Sequence, residues 1–351
     1  MVRYPWLQVR PRPTPGATAR TPPCPYLGRQ KTSPSRRLIV TMLPSVVLLM
    51  TWVLRVISVG MAAYDAGVVA GEIPESRRPA VTEHGVRIAD QDIAFTTSAG
   101  SGRPVVFVHG NSSSARVWRP LLTGAFGERF RCLALDLPGH GRSAPTARSN
   151  VYSMPGYAEI LTGFIDEVSA QEAVIVGWSL GGHIAIEAAP SLPGAAGFVV
   201  FGTPPVASAE HLAQAFLPNP AVNIGFTAQV DPEAALSYAR SFLAPGSPLQ
   251  LDELVADILA TDGAARAGLA AGIGTGRFSD EVAIVTRLTQ PIAVLHGADE
   301  QLVNLDYLRG LTMPTLWRDA VQVIPGAGHA PHLETPQQFA DILTEFISDL
   351  D

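Results

Sequence analysis

Five short stretches of the chain are apolar throughout, with no alternation: residues 105–108, 132–135, 173–176, 198–201 and 292–295; a sixth, 321–324, is apolar except for Gln322. A strand with one wet face alternates in polarity, whereas one that is apolar at every position must be covered on both sides. Helix-length segments separate these runs, at 115–126, 154–169, 180–189, 301–310 and 335–349. That rhythm predicts an α/β fold, a mostly parallel sheet with helices on both faces. Ahead of it, residues 84–97 (HGVRIADQDIAFTT) do alternate and read as a strand pair turning at Ala89 and Asp90.

The rhythm breaks between residues 203 and 290, where Pro-punctuated helical segments (around 207–216, 232–243, 250–261 and 264–272) replace strands. A helical insertion is expected there, emerging from the carboxyl edge of the sheet, where open α/β folds bind ligands. The body then divides into a first core segment (61–202), an inserted helical cap (203–290) and a second core segment (291–351).

Residues 1–60 are of another kind: nine Arg or Lys and no acidic residue, so all 31 Asp and Glu lie in the body. A body this acidic argues against a nucleic-acid partner. Residues 1–37, rich in Pro and Arg, read as a disordered tail. Residues 38–54 (LIVTMLPSVVLLMTWVL) form an uncharged apolar run. Three readings compete for it. A membrane anchor would want about 20 apolar residues, and Pro44 interrupts this run. A signal peptide fits the basic start but not its length. An upstream start codon would leave Met42 or Met61 to open a cytoplasmic protein. The two cysteines, Cys24 and Cys132, encode neither a disulfide framework nor a metal site.

Chemistry concentrates at Gly177-Trp178-Ser179-Leu180-Gly181-Gly182. An apolar run precedes it and a helical run follows, so the strand must turn sharply into the helix, with small residues relieving the crowding. Such a turn holds the Ser179 hydroxyl beside a helix N-terminus, whose free N–H groups favour an anion. A serine needs a base. His329, in Gly328-His329 just beyond the last apolar run, is the first choice and His332 the runner-up. His183, four residues after Ser179, suits packing in or behind the helix, and His140 a turn. The imidazole in turn needs a carboxylate. Asp299, in His296-Gly297-Ala298-Asp299, is the choice. The adjacent Glu300 could substitute, but it suits the start of the next helix, and Asp136 suits bracing a turn. For the oxyanion, the expected donors are the backbone N–H of Leu180 and that of Asn111 in His109-Gly110-Asn111-Ser112, with Ser112 second.

Together with Asp136-Leu137-Pro138-Gly139-His140-Gly141-Arg142-Ser143, these motifs resemble the α/β-hydrolase superfamily over residues 81–349. The resemblance implies an eight-stranded sheet, a helical cap and acyl-enzyme chemistry on a small-molecule substrate without a cofactor. Branches that place Asp where this chain has Ser179, the dehalogenases and epoxide hydrolases, are disfavoured. The expected activity is hydrolysis of a small, largely apolar ester or lactone, with Gly110 and Trp178 near the substrate and Phe216, Phe226, Tyr238 and Phe242 in the cap. The alternatives are C–C bond hydrolysis of a ring-fission dienoate and a receptor-like protein with little turnover. The oligomeric state is not encoded.

Overall fold

The computed structural model describes residues 81–148 and 150–351. The basic tail and the apolar segment 38–54, with their anchor, signal and start-site readings, lie outside the described residues. Within these, no helix is long and apolar enough to cross a membrane.

Eight strands form one sheet: β1 (Thr82–Ile88), β2 (Gln91–Thr97), β3 (Pro104–Val108), β4 (Arg131–Leu135), β5 (Val174–Trp178), β6 (Gly197–Phe201), β7 (Ile292–Gly297) and β8 (Gln322–Ile324). Their spatial order is β1-β2-β4-β3-β5-β6-β7-β8. Strands β1 and β2 pair antiparallel, as do β2 and β4, and every other pairing is parallel. The runs without alternation become the central strands, and every residue of β5, β6 and β7 is buried. The alternating pair becomes the edge hairpin, with Ala89 in the turn at φ +53°.

Register brings the site together. Val108 sits opposite Gly177, Trp178 opposite Phe201, and Gly297 opposite Ile324. Because these strands are parallel, the loops that follow β3, β5, β7 and β8 open on one edge of the sheet.

Helices α1 (Met154–Glu167) and α2 (Leu180–Ala188) follow β4 and β5. Ser153 caps α1, its hydroxyl accepting from Gly156 N–H, with Pro155 in the first turn. The chain between β6 and β7 contains helices α3 (Pro232–Ser241), α4 (Asp252–Ala260), α5 (Gly263–Gly274) and α6 (Glu281–Arg287) besides shorter turns. Helix α7 (Pro336–Ser348) closes the chain. It buries Phe339, Leu343, Phe346 and Ile347, one stripe at helical spacing.

Three predicted helices are shorter than expected, the segment around 207–216 keeping only Leu212–Ala215. The segment 115–126 splits into a 3-10 turn (Ala115–Trp118) and two short helices (Arg119–Leu122 and Ala125–Arg129). Gly124 is extended, at φ −100° and ψ −175°, and separates the latter two. The segment 301–310 contracts to Leu305–Arg309, capped by Asn304, because the residues before it make the turn that carries Glu300.

Candidate active site

Ser179 sits where β5 ends and α2 begins, with φ +54° and ψ −116°. A non-glycine residue held there is strained by about 1–3 kcal/mol and persists because its surroundings over-determine it. Ser179 N–H donates to Phe201 O at 2.9 Å, and Ser179 O accepts from Thr203 Oγ1 at 2.9 Å and from Gly182 N–H at 3.0 Å. The turn is also too crowded for a side chain behind it. A methyl on Gly181 would lie 2.1 Å from Val108 O.

His329 lies beyond β8 and lines the same pocket as Ser179. Its Nδ1 bonds Glu300 Oε2 at 2.8 Å, and both side chains are almost fully buried. A carboxylate accepts only, so Nδ1 carries the proton and Nε2 presents its lone pair. Nε2 is buried and has no hydrogen-bond partner among the described residues. Burial alone would raise the Glu300 carboxyl. The neighbouring His329 imidazole, through its field and its Nδ1–H bond, together with the N–H of Leu302 at 2.7 Å, outweighs that and holds it below the ordinary carboxylate range.

The carboxylate expected here was Asp299; the structure corrects this to its neighbour. Asp299 N–H donates to Ala327 O and Glu300 N–H to Gly297 O, closing a turn that leaves the Asp299 side chain exposed and turns Glu300 inward. Sequence reasoning saw both carboxylates, but only the direction of the turn separates them.

The loop carrying His329 is tied down on three sides. Trp178 Nε1 donates to His329 O at 2.8 Å, Glu334 accepts from Gly328 N–H at 2.7 Å, and Glu300 holds the ring. Gly202, at φ +61°, leaves room for the ring, since a methyl there would lie 2.5 Å from His329 Cε1. These supports have no signature in the sequence.

Asn111 lines the pocket, its side chain donating to Gly225 O at 2.6 Å. Among the described residues, neither Asn111 N–H nor Leu180 N–H donates to a protein acceptor. Both are thus free for a ligand oxygen. Gly110 and Trp178 were expected to touch substrate; neither lines the pocket. The Trp178 side chain points away from the pocket because successive residues of a strand face opposite sides. It packs on His332 (ring centroids 4.8 Å) and Phe242 (5.3 Å), and Gly110 lies against its indole.

The other histidines divide cleanly. His332 is fully buried among Trp118, Trp178, Phe201 and Phe339, and that burial holds it neutral, well below its ordinary value. Its ring therefore supports the core. His109 and His140 are likewise buried and pushed down to about 4 and about 3. Asp136 braces the turn as expected, accepting from Ala115 and Arg142 N–H. His183 was placed in or behind the helix, but it lines the pocket, its Nδ1 2.9 Å from Glu281 Oε1.

The pocket is otherwise apolar. Phe216, Phe226, Tyr238 and Phe242 all line it, with Val206, Leu212, Leu269 and Ile273.

With this geometry in view, residues 105–342 match the alpha/beta hydrolase family. The chain belongs to that family and is an α/β-fold serine hydrolase. It is similar to the pimeloyl-[acyl-carrier protein] methyl ester esterase of Methylococcus capsulatus, 30% identical over 269 residues, covering 72% of this chain and 98% of that protein. It also matches the biotin biosynthesis bifunctional protein BioHC of Cellvibrio japonicus, 30% identical over 264 residues. That match covers 71% of this chain but only 48% of the relative's own length. Among solved structures it resembles the N-acyl homoserine lactonase AidH, in a glutamate-to-glycine mutant complexed with N-hexanoyl homoserine. The TM-score is 0.74 at 36% identity, covering 77% of this chain and 98% of that one. A serine-to-glycine mutant of AidH, complexed with N-hexanoyl homoserine lactone, aligns at TM-score 0.73.

Proposed function

We propose that the protein hydrolyses a small, largely apolar carboxylic ester or lactone through an acyl-enzyme. The observation that carries this reading is the apolar pocket shared by Ser179 and a histidine whose remaining nitrogen has no protein partner. The ester and lactone chemistry of similar proteins supports it, AidH and the pimeloyl methyl ester esterase above all.

Ser179 Oγ attacks the carbonyl carbon as its proton passes to His329 Nε2. Glu300 keeps the ring in the Nδ1–H form and stabilises the imidazolium that results. The N–H groups of Asn111 and Leu180 hold the oxygen as it becomes negative, in a setting that excludes bulk water. His329 then returns the proton to the departing alkoxide. In a lactone that group stays tethered through the acyl chain; in an ester it leaves. Water, activated by the same imidazole, releases the acid and restores Ser179.

Among the described residues that line the pocket there is no Arg or Lys to hold a dienoate's carboxylate. Ester cleavage therefore fits the site better than C–C cleavage. Labelling with a fluorophosphonate probe tests the reading. The parent protein is expected to label, and Ser179→Ala and His329→Ala are not. Equal labelling of Ser179→Ala would remove the nucleophile from the proposal.

A further inference from the structure

A second His–Glu pair faces the same pocket. His183 lies on α2, four residues after Ser179, and Glu281 opens α6 in the insertion. His183 Nδ1 is 2.9 and 3.0 Å from the two Glu281 oxygens, and Glu281 Oε2 also accepts from Val206 N–H at 2.9 Å. Each of these oxygens acts as an acceptor, so Nδ1 donates, and in the neutral ring Nε2 carries a lone pair. Nε2 bonds to nothing in the protein among the described residues, although His183 is only 7% exposed and lines the pocket. The Phe216 ring lies beside it, centroids 6.4 Å apart, and the pocket they share is mostly apolar. The His183 Nε2 is accessible from the pocket, so its lone pair is open to a donor on a molecule bound there.

Four residues of helix separate the Cα atoms of Ser179 and His183 by about 6 Å along the axis, and helical side chains lean back toward the N-terminus. The ring therefore stands close to the reacting carbonyl but not at it.

We propose that His183, held by Glu281, is a recognition subsite for an amide N–H or a hydroxyl on the acyl side of the substrate, about two to four bonds from the scissile carbonyl. The proposal rests on the ester or lactone reading above. His183 Nε2 accepts the substrate's hydrogen bond, and Glu281 fixes the tautomer and the ring's direction. No bond is made or broken at this pair. It sets specificity, and the reacting groups remain Ser179 and His329.

The test compares matched substrates that differ only by the donor. One pair is an α-acylamino-γ-butyrolactone and the α-alkyl lactone of equal length; the other is p-nitrophenyl N-acetylglycinate and p-nitrophenyl pentanoate. The full chain should favour the amide member of each pair it turns over. His183→Leu should lower that ratio of kcat/KM roughly five- to tenfold, the worth of about one hydrogen bond. Glu281→Gln, which keeps the size and the acceptor for Val206 N–H, should lower it by less, about threefold. If His183→Leu does not fold, Glu281→Gln carries the test alone. Loss of melting temperature with the preference intact would make the pair a structural tie between α2 and α6 and overturn the subsite. So would equal rates within the pairs for the parent. Turnover of neither series by the parent would strike at the ester and lactone reading itself.

Discussion

The pocket holds two histidines, each bonded through Nδ1 to a buried glutamate, and the proposed chemistry uses only one of them. In the first pair, both partners come from loops at the carboxyl edge of the sheet, and Trp178, Glu334 and Gly202 shape the ring's surroundings. In the second, His183 is fixed by the regular backbone of α2, and its glutamate comes from the helical insertion. The hydrogen-bonding unit is nearly the same. What differs is the setting of Nε2: that of His329 is buried without a protein partner, whereas that of His183 is accessible from the pocket. A His–carboxylate pair is thus a general device for presenting a directed lone pair, and its neighbour decides whether that serves chemistry or recognition.

Substitutions should separate the two pairs. The largest effect belongs to the nucleophile: Ser179→Ala should lower kcat on p-nitrophenyl esters by about 10⁴–10⁶-fold, as loss of the serine does in serine hydrolases generally. Next, Glu300→Gln should lower kcat by about 10³–10⁴-fold because the imidazole loses the charge that stabilises its protonated form. The exposed neighbour gives the control, since Asp299→Asn should change kcat by no more than about twofold. Equal effects at the two positions would reverse the assignment of the acid.

Trp178→Phe should cost about tenfold in kcat with little change in KM, because it frees the His329 carbonyl without touching the pocket. A rise in KM alone would return Trp178 to a substrate-contacting role.

The pH dependence follows from the direction of the Glu300 shift. Its folded-state value lies below the ordinary one. The stability that it contributes is therefore fully present above the ordinary carboxylate range and is lost as pH falls through the lowered value. Thermal unfolding of the parent and Glu300→Gln between pH 3 and 7 should show the parent's margin shrinking toward the acid end. A margin that grows on acidification would contradict the sign.

The sheet was legible because burial on both faces leaves continuous apolar runs, which became β3 to β7 with shifts of one or two residues at their ends, while the run broken by Gln322 became the half-exposed edge strand β8. The short helices after β3 and β7 were not legible. Their lengths are set by single caps and turns, and periodicity over four or five residues carries no signal. Ser179 could be read because strand, tight turn and helix all leave marks around it, and His329 because it follows the last run. The carboxylate that bonds His329 was misread by one position. Asp299 and Glu300 share every local feature except side-chain direction, which two backbone hydrogen bonds to Ala327 and Gly297 determine. Glu281 could not have been found at all. It lies 98 residues from His183 and meets it only through the packing of α6 on α2.

The backbone at Ser179 has one more consequence. Glycine would adopt φ +54° without the steric cost borne by serine. Ser179→Gly should therefore melt higher than the active protein, by about 2–4 °C if roughly 1 kcal/mol of strain is released. Heat-resistance selection alone would thus drive this position toward a sturdier but inert molecule, and only a demand for turnover keeps the hydroxyl there.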